Sequence, residues 1–333
     1  MDKLWWEPGP EHLNFACVLA GMEPVPLDRA FNYLVLGCGG ESAQARVAGG
    51  HPRGSFHAAD AGMPLGAALP PMDFIVLRGA YSWLDRNQRQ QVIELINACL
   101  KPGGVAYIGY DALPGCSSIL PLQRLVREQG GLHAAAQVEQ LRGVGAAYFA
   151  DNDAPAMRSR LDAFAPACHE FTRRGWEALY HADVARALAD AKLEYVASAD
   201  LWWSDPGRYL SAAQRALLDA QTVPILREMV RDILLDTAFR RDVYIRGARR
   251  MHPMRQADWL GKCPLSLSLA EARAEGRDEA LFASMLDALA VGPQPIAALA
   301  SLPEMRGKNM LEVARLAGLL LDSGHAVISN QGA

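Results

Sequence analysis

Short apolar runs that stop at glycines, alternating with stretches whose apolar positions recur at helical spacing, organise the first third of the chain. Residues 31–36 run into Gly37-Cys38-Gly39-Gly40, which predicts a buried strand, a glycine turn and a helix over 41–47 that stops at Gly49-Gly50. Residues 54–58 read as a short strand ending near Asp60, and 73–77 (DFIVL) as a second clear buried strand. Asp85 then opens a helix. Its side chain can cap the N-terminus while Gln88 reaches back, and Val92, Ile93, Ile96, Cys99 and Leu100 mark the buried face. Lys101-Pro102-Gly103-Gly104 stops that helix, and 105–110 follows as another strand. Strand and helix alternating at this spacing predict a parallel sheet with crossover helices.

The pattern changes near Leu120. Helical periodicity dominates over 120–129, 134–141, 156–164, 176–191, 212–218 and 223–235, with one further strand over 192–198. A boundary is expected at 255–262, leading to a last unit with helices over 279–289 and 311–321 and a terminal strand at 324–329. The expected organisation is an irregular or helical lead-in at 1–30, an α/β core at 31–130, a mostly helical middle domain at 131–260, and a small winged-helix-like module at 264–333.

Composition narrows the function classes. The chain has 333 residues, half of them hydrophobic, and a net charge of −4, so no global signal points to nucleic acid. No apolar run reaches the roughly 18 residues of a membrane helix. The first fifteen residues lack a basic-then-apolar layout, and the six cysteines are scattered without a C-x-x-C pair. These features predict a cytoplasmic protein with reduced, buried thiols. The histidines show no metal-ligand spacing, so no metal is expected. Arg240, Arg241, Arg246, Arg249 and Arg250 cluster on an expected helix or its flank, where Asp232, Asp236 and Asp242 favour a solvated or ion-paired face. Trp202-Trp203 reads equally as a partner-binding patch or as core.

Ligands of open α/β sheets bind beyond the carboxyl ends of the strands. That rule gathers Gly37, Cys38, Gly39, Gly40, Asp60, Arg78, Tyr81, Trp83, Tyr110 and Asp111 on one rim. Glycines there let backbone N–H groups approach a polar ligand, and aromatic residues at strand ends can wall a pocket.

Four segments in order, LVLGCGG (34–40), DFIVLRGAYSWLD (73–85), LKPGGVAYIGYDALPG (100–115) and AFRRDVYIRGARRM (238–251), resemble the bacterial S-adenosylmethionine (SAM)-dependent methyltransferases that carry a methyltransferase regulatory domain. That group includes the rickettsial outer-membrane-protein lysine methyltransferases. Residues 178–199 resemble its middle segment, and 281–328 resemble the small C-terminal module of some members. The resemblance implies a shortened Rossmann-like SAM methyltransferase core, methyl transfer to a protein, peptide or other macromolecular acceptor, and SAM as cofactor. It also implies that Gly37, Cys38, Gly39, Gly40, Asp60 and Arg78 lie on the cofactor side, and that Tyr81, Trp83, Tyr110 and Asp111 line the transfer site.

The chain departs from that pattern. Val35 stands where the family has an acid, and Glu41 replaces the third glycine. The segment between Asp60 and Asp73 is one crossover unit short. Arg78 replaces a histidine, Asp111 an asparagine and Cys116 a tryptophan. Two readings therefore stand: a methyltransferase, or a catalytically inactive methyltransferase-like subunit (a pseudoenzyme) that binds a partner protein, such as an active paralogue, or forms an oligomer.

Overall fold

The computed structural model describes residues 9–37, 51–59, 69–128, 140, 143, 144, 147, 176–268 and 279–329. The helices expected over 41–47 and 156–164, and that over 134–141 apart from position 140, lie outside these residues. Six strands form the main sheet: β1 (Phe31–Leu36), β2 (Gly54–Ala59), β3 (Met72–Leu77), β4 (Leu100–Asp111), β5 (Leu193–Ser198) and β6 (Phe239–Arg246). Their order is β2-β1-β3-β4-β6-β5. The first four are parallel, and β6 is antiparallel to both neighbours. The helices are α1 (Pro10–Leu19), α2 (Arg86–Cys99), α3 (Leu120–Glu128), α4 (His181–Ala189), α5 (Ala212–Asp219), α6 (Pro224–Leu235), α7 (Pro253–Lys262), α8 (Glu279–Val291), α9 (Ile296–Ala300) and α10 (Met310–Asp322). A second antiparallel sheet, ordered β8-β7-β9, consists of β7 (Pro264–Leu267), β8 (Gln294–Pro295) and β9 (Ala326–Ile328).

Strand alternation sets the layers. Phe31, Tyr33 and Val35 of β1, Phe74 and Val76 of β3, and Val243 and Ile245 of β6 face α1 through Leu13 and Cys17. Leu34, Leu36, Ile75, Leu77 and Tyr244 face the other way, onto α2 and α4. Helix α2 starts with the capping box expected from the sequence, since Asp85 accepts from Gln88 N and Gln88 accepts from Asp85 N. Its C-terminal carbonyls are capped from β6, where Arg246 Nη1 donates to Asn97 O at 2.8 Å and Leu100 O at 2.7 Å.

The expected lead-in contains α1, which is buried all round. Leu13 and Cys17 pack on the sheet, while Phe15, Ala16, Val18 and Leu19 pack into the C-terminal module. A helix apolar on every side belongs between layers rather than at a surface. In the module, α10 is likewise buried through Val313, Ala314, Leu316, Ala317 and Leu320.

Two expectations need correction. Residues 239–246 form a strand, not a helix or its flank, because Arg240, Asp242 and Tyr244 share one buried face while Val243 and Ile245 share the other. Residues 176–180 are extended, tied to β4 by a bridge between Ala112 and Leu179, so the helix begins only at His181. The boundary expected at 255–262 is helix α7, whose Leu260 is buried in the C-terminal core. Of the two readings of Trp202-Trp203, packing holds for Trp203, which is buried with its ring against Trp202 and Tyr209.

Among the described residues β2 is one edge of the sheet and β5 the other, and the chain passes from Ala59 to Met72 without an intervening described strand. No helix of the described residues is long and apolar enough to cross a membrane, and no cluster of three or more potential metal ligands occurs among them.

Candidate functional site

The carboxyl ends of β1, β3 and β4 lie side by side and form the rim. Gly37 closes β1 with φ +122°, and its N–H donates to Ala59 O at 3.0 Å, which joins it to the end of β2. A side chain at that φ is strained. Beyond β3, Gly79 (φ +58°) turns the chain into a short 3-10 segment, Ala80–Trp83. Gly109 of β4 leaves room for this turn, since a Cβ there would stand 2.8 Å from Gly79 N.

Ser82 fastens that turn to β4. It is fully buried, and its Oγ accepts from Asp111 N at 2.8 Å. Its carbonyl accepts from Glu177 N at 2.8 Å, which draws in the extended segment before α4. Leu179 N then donates to Asp111 O, and Leu113 N to Leu179 O, both at 3.0 Å. Trp176 Nε1 donates to Asp111 Oδ2 at 2.7 Å. The Trp83 and Trp176 rings lie 6.3 Å apart. The centre of the site is thus a half-exposed carboxylate, Asp111, held by one indole with a second indole beside it. Arg89 closes the flank, donating to Tyr81 O at 3.1 Å and to Glu177 Oε2 at 2.7 Å.

The structure separates the sequence-derived site residues into two groups. Trp83 and Asp111 meet at the rim. Tyr81 is buried below it, and burial, opposed by Arg89, pushes its phenol up to about 12. Tyr110 differs from expectation. It is wholly buried on the opposite face of β4 from Asp111, and its hydroxyl donates to Asp242 Oδ2 at 2.7 Å. Arg78 follows β3 directly. Cys38, Gly39, Gly40 and Asp60 lie outside the described residues.

Beneath the rim a buried polar network joins β4, β6, α4 and α6. Arg240 Nε donates to Asp242 Oδ1 (2.8 Å), Nη1 to Asp232 Oδ1 (2.6 Å) and Nη2 to Glu228 Oε2 (2.9 Å). Asp242 Oδ2 also lies 2.9 Å from His181 Nδ1 and accepts from Tyr244 Oη at 3.2 Å. Burial alone would raise the Asp242 carboxyl, but Arg240 and His181 outweigh it and hold it well below the usual carboxylate range. For Asp232 burial prevails over Arg240 and pushes the carboxyl up to about 6.

The sequence reading missed the roles of Ser82, Arg89, Trp176 and Glu177. Trp176 meets Asp111 across 65 residues, and no local pattern carries such a contact.

The parallel-dominated sheet with an antiparallel β6 and a glycine turn after β1 defines a Rossmann-like fold of the SAM methyltransferase type. Residues 167–246 match the family model described as "Predicted methyltransferase regulatory domain". The structure is similar to that of PKMT2 from Rickettsia typhi, with a TM-score of 0.68 at 17% identity, covering 97% of this chain and 76% of that one. PKMT2 in complex with AdoHcy gives 0.66 at 16% identity. At such identities the likeness is one of fold.

By sequence, the chain is 31% identical over 303 residues to sll1526, an uncharacterized protein of Synechocystis sp. PCC 6803; this covers 78% of the chain and 60% of that relative. It is 36% identical over 62 residues to RP028 of Rickettsia prowazekii, covering 19% of the chain and 23% of that protein. The chain thus spans less than two thirds of the length of either relative.

Proposed function

We propose that the chain is a SAM-dependent N-methyltransferase whose acceptor is an amine of a protein or peptide. The observation that carries this reading is Asp111 held against Trp176 with Trp83 alongside. The partly exposed Trp83 indole can attract a cation, and the carboxylate of Asp111, held by the buried Trp176, adds charge and a proton acceptor. Such a site suits an alkylammonium that must be bound, oriented and deprotonated. The structural neighbour PKMT2 is known in complex with AdoHcy, which supports SAM as the cofactor of the shared fold.

Gly37, the described glycine on the cofactor side, supports a place there for the methionine end of SAM. Gly37 turns sharply at the carboxyl end of β1, and a Cβ there would already touch Ala80 Cβ at 3.5 Å. Gly37, with Cys38, Gly39 and Gly40 after it, would hold that end, and Asp60 the ribose. When bound, SAM supplies an electrophilic methyl group on a sulfonium. The chain's own work is proximity and proton removal. Trp83 orients the amine, Asp111 takes its proton, the buried Trp176 holds the Asp111 carboxylate from behind, and Ser82 fixes the backbone of Asp111.

A second reading, a non-catalytic subunit that positions a partner protein, is favoured by the departures at Val35 and Glu41 and by one structural observation. The sheet ends at β2 among the described residues, so the crossover that contacts adenine in the resembling family has no counterpart there. DNA binding through the C-terminal module is disfavoured, because α10, the helix a winged module would offer to a groove, is buried against α1 and the segment at Leu201.

Titration calorimetry of the chain with SAM and S-adenosylhomocysteine separates the readings. Micromolar binding, followed by mass-spectrometric detection of methylated lysine in a co-incubated acceptor, is expected. Asp111→Asn is expected to retain binding and lose about 100-fold in transfer. No binding at millimolar ligand, with or without partners, leaves the non-catalytic reading.

A further inference from the structure

A second cleft, of about 410 Å³, opens away from the rim. The edge strand β5, the C-terminal end of α1, helix α6 and helix α10 border it. It therefore sits where β5 and α6 meet the C-terminal module. Its volume lies in the range of small-molecule sites, roughly 300–1,000 Å³.

The charges lining it do not balance. Arg227, Arg231, Arg315 and Glu228 line it; Arg227 is paired with Asp219 at 2.8 Å, outside the lining, which leaves Arg231 and Arg315 beside the single carboxylate Glu228. That carboxylate is already engaged: Arg240 Nη2 donates to it at 2.9 Å and Arg231 Nη1 at 3.1 Å. Arg231 is buried to 8% exposure, yet its Nε has no hydrogen-bond partner. Arg315 Nε is also buried without a partner. Arg315 stands on α10 between Ala314 and Leu316, in a helix whose other inward residues are apolar.

Long cations often lay an apolar stem on the core and keep the charged head in water. That habit does not explain a guanidinium whose Nε is cut off from water. Burying such donors unpaired costs stability, and both guanidinium groups border the cleft, where an anion would offset their charge. The remaining wall is largely apolar, with Leu19, Val196, Leu201 and Trp203. Trp203 also carries Arg231, whose guanidinium lies 5.3 Å above its ring. The carbonyls at the end of α1, which would repel an anion, are covered, since Gln256 Nε2 donates to Val18 O and Leu19 O.

We propose that this cleft binds a small organic anion, a phosphate ester or carboxylate with an apolar body, at a site separate from the methyl-transfer rim. Arg231 and Arg315 hold the anionic group, Arg227 closes the outer side, and the Leu201–Trp203 wall takes the apolar part. As a joint of β5 and α6 with the C-terminal module, the site is placed to act as an effector site. Binding there is read without methyl transfer, so it stands or falls apart from the function proposed above.

The test is calorimetry on the full chain with phenyl phosphate, phenylacetate and, as a neutral control, benzyl alcohol. Saturable sub-millimolar binding of phenyl phosphate or phenylacetate is expected, and which of the two binds more tightly assigns the anionic group. Arg315→Gln is expected to weaken binding about tenfold or more, while the melting temperature of the free protein stays level or rises. A residue that merely held the fold would lower it. Arg227→Gln, on the more exposed side, is expected to weaken binding by a smaller factor and covers the case of an Arg315 variant that fails to fold. No saturation by either anion, equal binding of benzyl alcohol, or undiminished affinity in both variants would overturn the proposal.

Discussion

Trp176 Nε1 and Asp111 Oδ2 are joined by a 2.7 Å hydrogen bond that links the segment before α4 to the last parallel strand of the sheet. Trp176 is fully buried, and its carbonyl accepts from Gln123 Nε2 at 3.1 Å and from Arg127 Nη2 at 2.5 Å. One residue thus connects β4, α3 and the segment before α4. Trp176→Phe retains an aromatic ring, removes the indole donor and leaves a small cavity in place of the second ring. The expected loss is about 2 kcal/mol in urea denaturation, the range for a hydrogen bond to a charged group. An unchanged midpoint would mean that the bond is made as well by water.

Arg240 gives a second prediction. Its guanidinium meets Glu228, Asp232 and Asp242, and all four residues are buried. Arg240→Met leaves these carboxyl groups facing one another without their shared cation. The expected cost is about 3–5 kcal/mol by chemical denaturation. A cost near zero would show that the carboxyl groups find water or protons once the cation is gone.

The same strand shows how far the sequence could be read. The parallel strands at 31–36 and 73–77, the Asp85–Gln88 capping box and the strand at 105–110 were legible, because each is signalled within about ten residues by apolar runs, caps and glycines. Segment 239–246 was not. Its charges at 240, 241, 242 and 246 suggested a polar surface, although Arg240 and Asp242 in fact point into the core and neutralise each other there. Alternation was present in Val243 and Ile245, but only the distant Glu228, Asp232 and His181 make the charged face compatible with burial. The rim was legible as a set of strand ends, which placed Trp83 and Asp111 correctly in one neighbourhood. Trp176 was not, since its contact with Asp111 depends on a segment that helical periodicity assigned to a helix.

Gly115 offers a test of backbone packing. A Cβ at this position would stand 2.4 Å from Ala238 N, Asp236 O and Thr237 C, all of them backbone atoms with no side chain to swing aside. Gly115 N also donates to Thr237 O at 3.0 Å, so the loop after β4 is fixed against the entry to β6. Gly115→Ala is expected to destabilise the fold by about 3 kcal/mol, as overpacking does. Gly103→Ala, where a Cβ meets nothing within 4 Å but φ is +79°, isolates the conformational cost alone and should lose about 1 kcal/mol. Equal losses in the two variants would remove the steric argument.

Asp322, at the end of α10, links the C-terminal module to the main sheet and makes that link dependent on pH. Its Oδ2 accepts from Trp202 N at 2.7 Å, and Asp200, paired with Arg241 at 3.0 Å, lies in the same cluster. Burial pushes the Asp322 carboxyl up to about 7, against the opposing pull of the Trp202 and Leu201 N–H groups and Arg241. In the unfolded chain the same group titrates near 3.8. Between these values the folded protein binds the extra proton, so the contribution of Asp322 to stability is fully present below about pH 4 and is lost as pH rises through about 7. An asparagine at this position would keep an oxygen for Trp202 N and would not ionise. Asp322→Asn is therefore expected to leave stability at pH 4 nearly unchanged and to raise it at pH 8 by on the order of 2 kcal/mol, read as a shift in urea midpoint. The same shift at both pH values would show that the carboxyl group stays ionised in the fold, and that Trp202 and Arg241 outweigh its burial.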